Sequence, residues 1–201
     1  SSRPPHLPRR PEVKKPFVIA ILGAESTGKT QLAQALARHL EDSMRGSLEE
    51  SKKSRVTWVP EWLRAWCDQQ GRTPEPHEQE AIAREQIRLI DDACASHDVV
   101  VCDTTAVMTA VYSQLLFNDA ALDDLAVQAH RRVDLTLLTA LDVPWQADSH
   151  QRDGPHVREP VDRAIRSLLS QHGISWLTVT GLGPQRLARA IQHVEAKLKQ
   201  I

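Results

Sequence analysis

Apolar residues along this chain come in two alternating arrangements, short unbroken runs and stripes that repeat every three or four positions. Phe17-Val18-Ile19-Ala20-Ile21-Leu22 is the first run, with the length and continuity of a strand buried on both faces. Leu32, Ala33, Leu36, Ala37 and Leu40 follow at helical spacing. Val56-Thr57-Trp58-Val59 predicts a second strand, residues 60–66 a helical start, and residues 77–96 a long amphipathic helix with Ile82, Ile87 and Ile90 on its apolar side. Val99-Val100-Val101-Cys102 predicts a third strand, with helices near 106–117 and 122–132 after it. Residues 135–141 and 174–179 read as strands four and five, separated by a helix over 161–172 and followed by a last helix to about residue 199.

Three tracts break the alternation. Residues 1–16 hold five prolines and five basic residues with almost nothing to bury, and are expected to be a disordered leader. Residues 41–55, rich in Ser, Glu and Lys, read as a solvated loop. Residues 142–160 lack periodicity and carry Asp148, Arg152, Asp153, His156, Arg158 and Glu159, the composition of a lid.

Five short strands alternating with helices predict an α/β fold: one domain over 17–201, built on a five-stranded, doubly wound parallel sheet flanked by helices. Ligands of such sheets bind outside the carboxyl ends of the strands. That rule brings 23–30, Glu61, Asp103, 142–158 and 180–184 to one rim.

The first of these carries the most specific chemistry. Gly23-Ala24-Glu25-Ser26-Thr27-Gly28-Lys29-Thr30 matches G-x-x-x-x-G-K-[ST] between a strand and a helix, the setting of a phosphate-binding P-loop. Phosphate oxygens need many donors at close range, and backbone N–H groups supply them where glycines clear the space. The loop therefore predicts ATP binding through Gly23, Glu25, Ser26, Thr27, Gly28, Lys29 and Thr30. Lys29 would reach the outer phosphates, and the Thr30 hydroxyl would face Mg2+.

Composition narrows the partners. Twenty-five basic residues balance 26 acidic ones for a formal net charge of -1, so no strong field draws the chain to nucleic acid or an anionic membrane. No apolar run approaches the ~20 residues that span a bilayer, and the three cysteines are too few for a disulfide framework. A cytoplasmic protein acting on a small ligand is expected. Nothing in the pattern fixes an oligomeric state.

Candidate catalytic groups follow from the rim. Asp103 ends an apolar strand, where a carboxylate orients Mg2+ or its water, or else caps the next helix together with Thr104 and Thr105. Glu61 ends the second strand and either holds or deprotonates an acceptor hydroxyl, or serves as an N-terminal helix carboxylate after Pro60. Arg152 and Arg158 suit a mobile cover that brings positive charge to a transferring phosphoryl group, or else pair with Asp153 and Glu159. Five tryptophans stand against one tyrosine and two phenylalanines. Trp58 and Trp176 lie in predicted strands and read as core, whereas Trp62, Trp66 and Trp145 are placed to stack on a ring or to pack.

With the loop, Val59-Pro60-Glu61-Trp62, Val101-Cys102-Asp103-Thr104-Thr105, Asp142-Val143-Pro144-Trp145-Gln146-Ala147-Asp148 and the run from Arg152-Asp153-Gly154 through His156-Val157-Arg158-Glu159-Pro160 to Asp162, the chain resembles the ribosylnicotinamide kinase domain of NadR-type NAD-salvage proteins. The resemblance covers residue 17 to the C-terminus. It implies transfer of the ATP γ-phosphoryl group to the 5'-hydroxyl of nicotinamide riboside. A cationic pyridinium acceptor suits stacking on Trp145 or Trp62 and a carboxylate such as Asp148, and Gln86 is a candidate hydrogen-bond partner for its carboxamide. The H-x-G-H motif and helix-turn-helix of larger NadR-type proteins are not in this sequence, so adenylylation and DNA binding are not expected of it. A kinase for another nucleoside and a regulatory P-loop ATPase are the alternatives.

Overall fold

In the computed structural model, residues 14–45, 55–145 and 155–201 are described. Most of the predicted leader, the stretch 46–54 and the middle of the predicted lid, with Asp148 and Arg152, lie outside them. The sheet comprises β1 (Phe17–Leu22), β2 (Val56–Val59), β3 (Val99–Asp103), β4 (Leu135–Thr139) and β5 (Leu177–Val179), all parallel and ordered β2-β3-β1-β4-β5. The helices are α1 (Lys29–Arg45), α2 (Trp62–Gln70), α3 (Gln79–Ser96), α4 (Ala106–Phe117), α5 (Asp123–His130), α6 (Arg158–Gln171) and α7 (Pro184–Leu198).

Strand periodicity decides which helices each face meets. Phe17, Ile19 and Ile21 of β1, Val99 and Val101 of β3, and Leu135 and Leu137 of β4 pack on α1 and α7 through Leu32, Leu36, Ala190 and Val194. Val18, Val100 and Cys102 point the other way, onto Ile90 and Cys94 of α3. Leu22 and Leu138 join a larger cluster built from α3, α4 and α6. Both faces are covered, which is why the central strands are apolar without alternation. In α4, every residue from Ala106 to Ser113 is buried, as expected of a helix that is apolar all round.

The structure departs from the sequence reading at element ends. The loop expected from 41 begins later, because Glu41 to Arg45 continue α1 with an Arg45–Glu41 ion pair at 2.9 Å. These residues end the apolar stripe without ending the helix, since their helix propensities are ordinary and the pair spans one turn. Strands β4 and β5 are shorter than predicted. Helix α6 starts at Arg158, three residues before the predicted start, because Pro160 falls in its first turn, where no N–H has an intrahelical partner. Arg158 therefore opens a helix and does not lie within a loop.

Candidate active site

The P-loop connects β1, the middle strand of the sheet, to α1. Gly23 is needed for close approach: a Cβ there would overlap the Thr139 hydroxyl of β4. That hydroxyl bonds Thr27 Oγ1 at 2.7 Å, and Thr27 Oγ1 donates to Ala24 O at 2.6 Å. Buried Thr27 thus shapes the loop with its side chain and leaves only its backbone for a ligand. Gly28 takes φ 76, a conformation that costs a glycine nothing. Lys29 is 9% exposed and its ammonium reaches across the loop to Ala24 O at 3.2 Å.

Asp103 pairs with Ile21 in the β1–β3 register, so it shares the face of Val99 and Val101, the face α1 covers. Thr30, in the first turn of α1, donates its hydroxyl to Asp103 Oδ2 at 2.5 Å. This bond aims the Thr30 oxygen lone pairs away from Asp103, while Asp103 Oδ1 is buried without a partner. An orphaned carboxylate oxygen beside an oriented hydroxyl fits Mg2+, a cation that takes a few oxygen ligands from protein and the rest from phosphate and water. Burial first, and then the neighbouring Glu61 carboxylate, raise the Asp103 carboxyl to about 6 against the opposing pull of Lys29, Thr30 and Arg64. The capping alternative for Asp103 falls away, because the N-cap of α4 is Thr105, whose hydroxyl accepts from Val107 N. Between them Thr104 has φ 72 with its hydroxyl buried and unpartnered, backbone strain of the kind that collects at functional sites.

Glu61 is the N-cap residue of α2 but makes no side-chain capping bond. Its backbone is held from α3. Gln86, 2% exposed, accepts from Trp62 N at 2.8 Å and donates to Pro60 O at 3.3 Å, clamping the residues on either side of Glu61. The carboxamide expected to meet a ligand thus holds the backbone on both sides of Glu61. A second buried carboxamide, that of Gln79, lies seven residues earlier on the same stripe, 2% exposed and with neither polar atom hydrogen-bonded. The sequence did carry its signal: positions 79, 82, 83, 86 and 90 form one helical face, so a Gln there is buried.

Trp62, Trp66 and Trp176 are partly buried against the α3–α4–α6 cluster and Trp58 against the α1–α7 side. One face of Trp66 is covered by the Arg72 guanidinium 5.0 Å from the ring centre. At the ends of the predicted lid, Arg158 donates to Val143 O at 2.7 Å, while Glu159 pairs with Arg163 and not with Arg158. Trp145 stands just past this closure with its indole N–H buried and unpartnered.

Two further groups escaped the sequence reading. Arg186 of α7 packs behind the P-loop and donates to Thr27 O; its signal was a cation in the first turn of a helix, where the dipole disfavours it. His130 bridges Thr105 Oγ1 and Thr136 Oγ1, both at 2.8 Å, and burial lowers its imidazole to about 4.

A phosphate loop on the central strand, with a Thr–Asp pair at its carboxyl end, is matched by a family whose alignment spans residues 18–186. The chain belongs to the AAA domain family. No curated protein matches its sequence significantly. Among solved structures, this AAA domain superposes on NadR in complex with NAD and AMP-PNP with a TM-score of 0.71, and on NadR in complex with NR with a TM-score of 0.72, each at 19% identity over 90% of the chain. It covers 49% and 50% of those two chains, about half their length. Thymidylate kinase from Ehrlichia chaffeensis superposes with a TM-score of 0.61 at 14% identity, over 90% of this chain and 99% of that one. The fold is that of P-loop kinases. Among the described residues no helix is long and apolar enough to cross a membrane.

Proposed function

We propose that this AAA domain is a nucleoside kinase that moves the γ-phosphoryl group of ATP to the 5'-hydroxyl of nicotinamide riboside, giving nicotinamide mononucleotide and ADP. The observation that carries the reading is the Thr30–Asp103 pair with the Glu61 carboxylate beside it on the same rim. One side of that rim suits a phosphoryl donor and the other an acceptor hydroxyl. The likeness to NadR solved with NR supports the choice of acceptor, as do the lid-segment residues read from the sequence.

In this mechanism the loop amides and Lys29 bind the donor phosphates, and Lys29 adds charge at the outer ones. Thr30 and Asp103 would hold Mg2+, which would supply charge neutralisation at the outer phosphates. Glu61 takes the proton of the 5'-hydroxyl as the new O–P bond forms and the bond to the departing ADP oxygen breaks. Arg158 and Arg152 bring positive charge to the transferring phosphoryl group, and Trp62, Trp145 and Asp148 are the residues proposed for the acceptor ring. Gln79 replaces Gln86 as the partner for a ring carboxamide: it lies about 10 Å up α3 from Gln86 by helical rise, the length scale of a nucleoside from 5'-oxygen to base. The buried thiols, none in a disulfide, suit the reducing cytoplasm.

The test is ADP and product formation, read by mass spectrometry, across nicotinamide riboside, the common nucleosides and thymidine monophosphate, with Lys29→Ala as the blank. Turnover with nicotinamide riboside above all other acceptors is expected. Turnover with a different acceptor keeps the kinase and moves the substrate; ATP turnover independent of any acceptor replaces the kinase with a regulatory ATPase.

A further inference from the structure

Arg186 is 4% exposed in the first turn of α7. A guanidinium buried there, against the helix dipole, needs partners for its donors. Four of its five N–H groups find them, at three strand ends. Nη1 donates to Thr27 O in the loop after β1, Nη2 to Ala140 O at 3.2 Å after β4, and Nε to Gly181 O at 3.0 Å after β5. Nη2 also meets Asp142 Oδ1 at 2.7 Å, and Asp142 Oδ2 accepts from Gly181 N at 2.7 Å.

The contact with Thr27 has a geometric consequence. The Thr27–Gly28 peptide is planar and trans, so its N–H points opposite to its C=O. A carbonyl drawn back onto Arg186 turns the Gly28 N–H the other way, away from α7. Arg186 Nη1 lies 3.5 Å from where a Gly28 Cβ would stand, so the guanidinium sits against this peptide. Asp142, the first residue of the predicted lid, is tied to the same cation.

We propose that Arg186 is a positioning residue for the triphosphate donor. It fixes the Thr27–Gly28 peptide from behind so that the Gly28 amide is presented to phosphate, and through Asp142 it anchors the start of the 142–160 segment to the same loop. This rests on the reading of residues 23–30 as a nucleotide site. Its effect is on the donor and leaves the acceptor alone, because among the described residues its hydrogen bonds run to the ends of β1, β4 and β5 and none to α2, α3 or Glu61.

The experiment measures MgATP binding by calorimetry and the KM of ATP and of nicotinamide riboside separately, in the wild-type chain, Arg186→Lys and Asp142→Asn. Lysine keeps the charge but loses the fork that spans Thr27, Ala140 and Gly181. Arg186→Lys is expected to weaken ATP binding about tenfold or more with the acceptor KM changed less than about twofold. Asp142→Asn, at a partly exposed site, is expected to weaken ATP binding about threefold in the same direction. Unchanged ATP affinity in Arg186→Lys overturns the proposal, as do equal losses for both substrates that track the melting temperature. Should Arg186→Lys not fold, unchanged ATP affinity in Asp142→Asn overturns it alone. A wild-type chain that binds no ATP refutes the nucleotide-site reading itself, a distinct result.

Discussion

At the scale of single residues, the site is a set of polar groups whose alternatives have been removed one at a time. Asp103 does not cap α4, since Thr105 does, and Glu61 stands at the N-cap of α2 without capping it. Neither carboxylate is taken up as a helix cap. Substituting Glu61→Gln retains size and hydrogen bonding but removes the base, and kcat with nicotinamide riboside should drop about 10²- to 10⁴-fold with little change in ATP KM. Near-normal turnover in steady-state assays would strike Glu61 from the proton-transfer role. Much of this was legible locally: the G-x-x-x-x-G-K-[ST] spacing names its own chemistry, and Asp103 shares strand parity with Val99 and Val101, residues that face α1. The role of Gln86 was not legible, because its partners Pro60 and Trp62 lie 26 and 24 positions away in sequence.

At the scale of elements, α3 carries two buried glutamines seven residues apart on one face. Its apolar stripe fixes it to the sheet through Ile82, Ile90 and Cys94, and the two glutamines on that stripe face inward at different heights. Gln86→Leu removes both bonds that hold the Glu61 backbone and leaves two backbone groups unpaired; it should lower kcat, with acceptor KM less affected. Gln79→Leu should do the reverse, raising acceptor KM about tenfold with kcat largely kept, because the site loses one hydrogen bond to a ligand. Identical kinetics in the two variants would deny them separate roles. In α6 the lid segment was expected to run to residue 160, yet Pro160 lies inside the first turn of the helix, which has no N–H bond for proline to break.

At the scale of the whole molecule, packing sets a pH dependence that no local motif announces. His130 joins α5, the N-cap of α4 and β4 through two hydroxyls, which a neutral imidazole satisfies with one N–H and one lone pair. Its folded-state value of about 4 lies below the ordinary 6.5, so the unfolded chain binds the proton first. His130 therefore adds stability that is fully present above about pH 6.5, declines as pH falls, and is gone below about 4, on the order of 3 kcal/mol in all. Asp103, raised to about 6, acts oppositely in the same window, its folded state taking up the proton first. Urea unfolding of the wild-type chain minus that of His130→Gln isolates the histidine: the difference should shrink between pH 7 and 4, and a flat difference would refute the assignment. Sequence alone determined the α/β alternation, the phosphate loop and the strand-end carboxylates, because strand period, helix period and loop chemistry are set by neighbours within a few residues. Only the tertiary structure decided that β1 lies between β3 and β4, that α7 comes to rest behind the loop, and that Arg186, Gln86 and His130 are buried with hydrogen-bond partners. Those outcomes depend on the order in which strands pair, and that order places side by side residues such as Thr27 and Arg186, 159 positions apart.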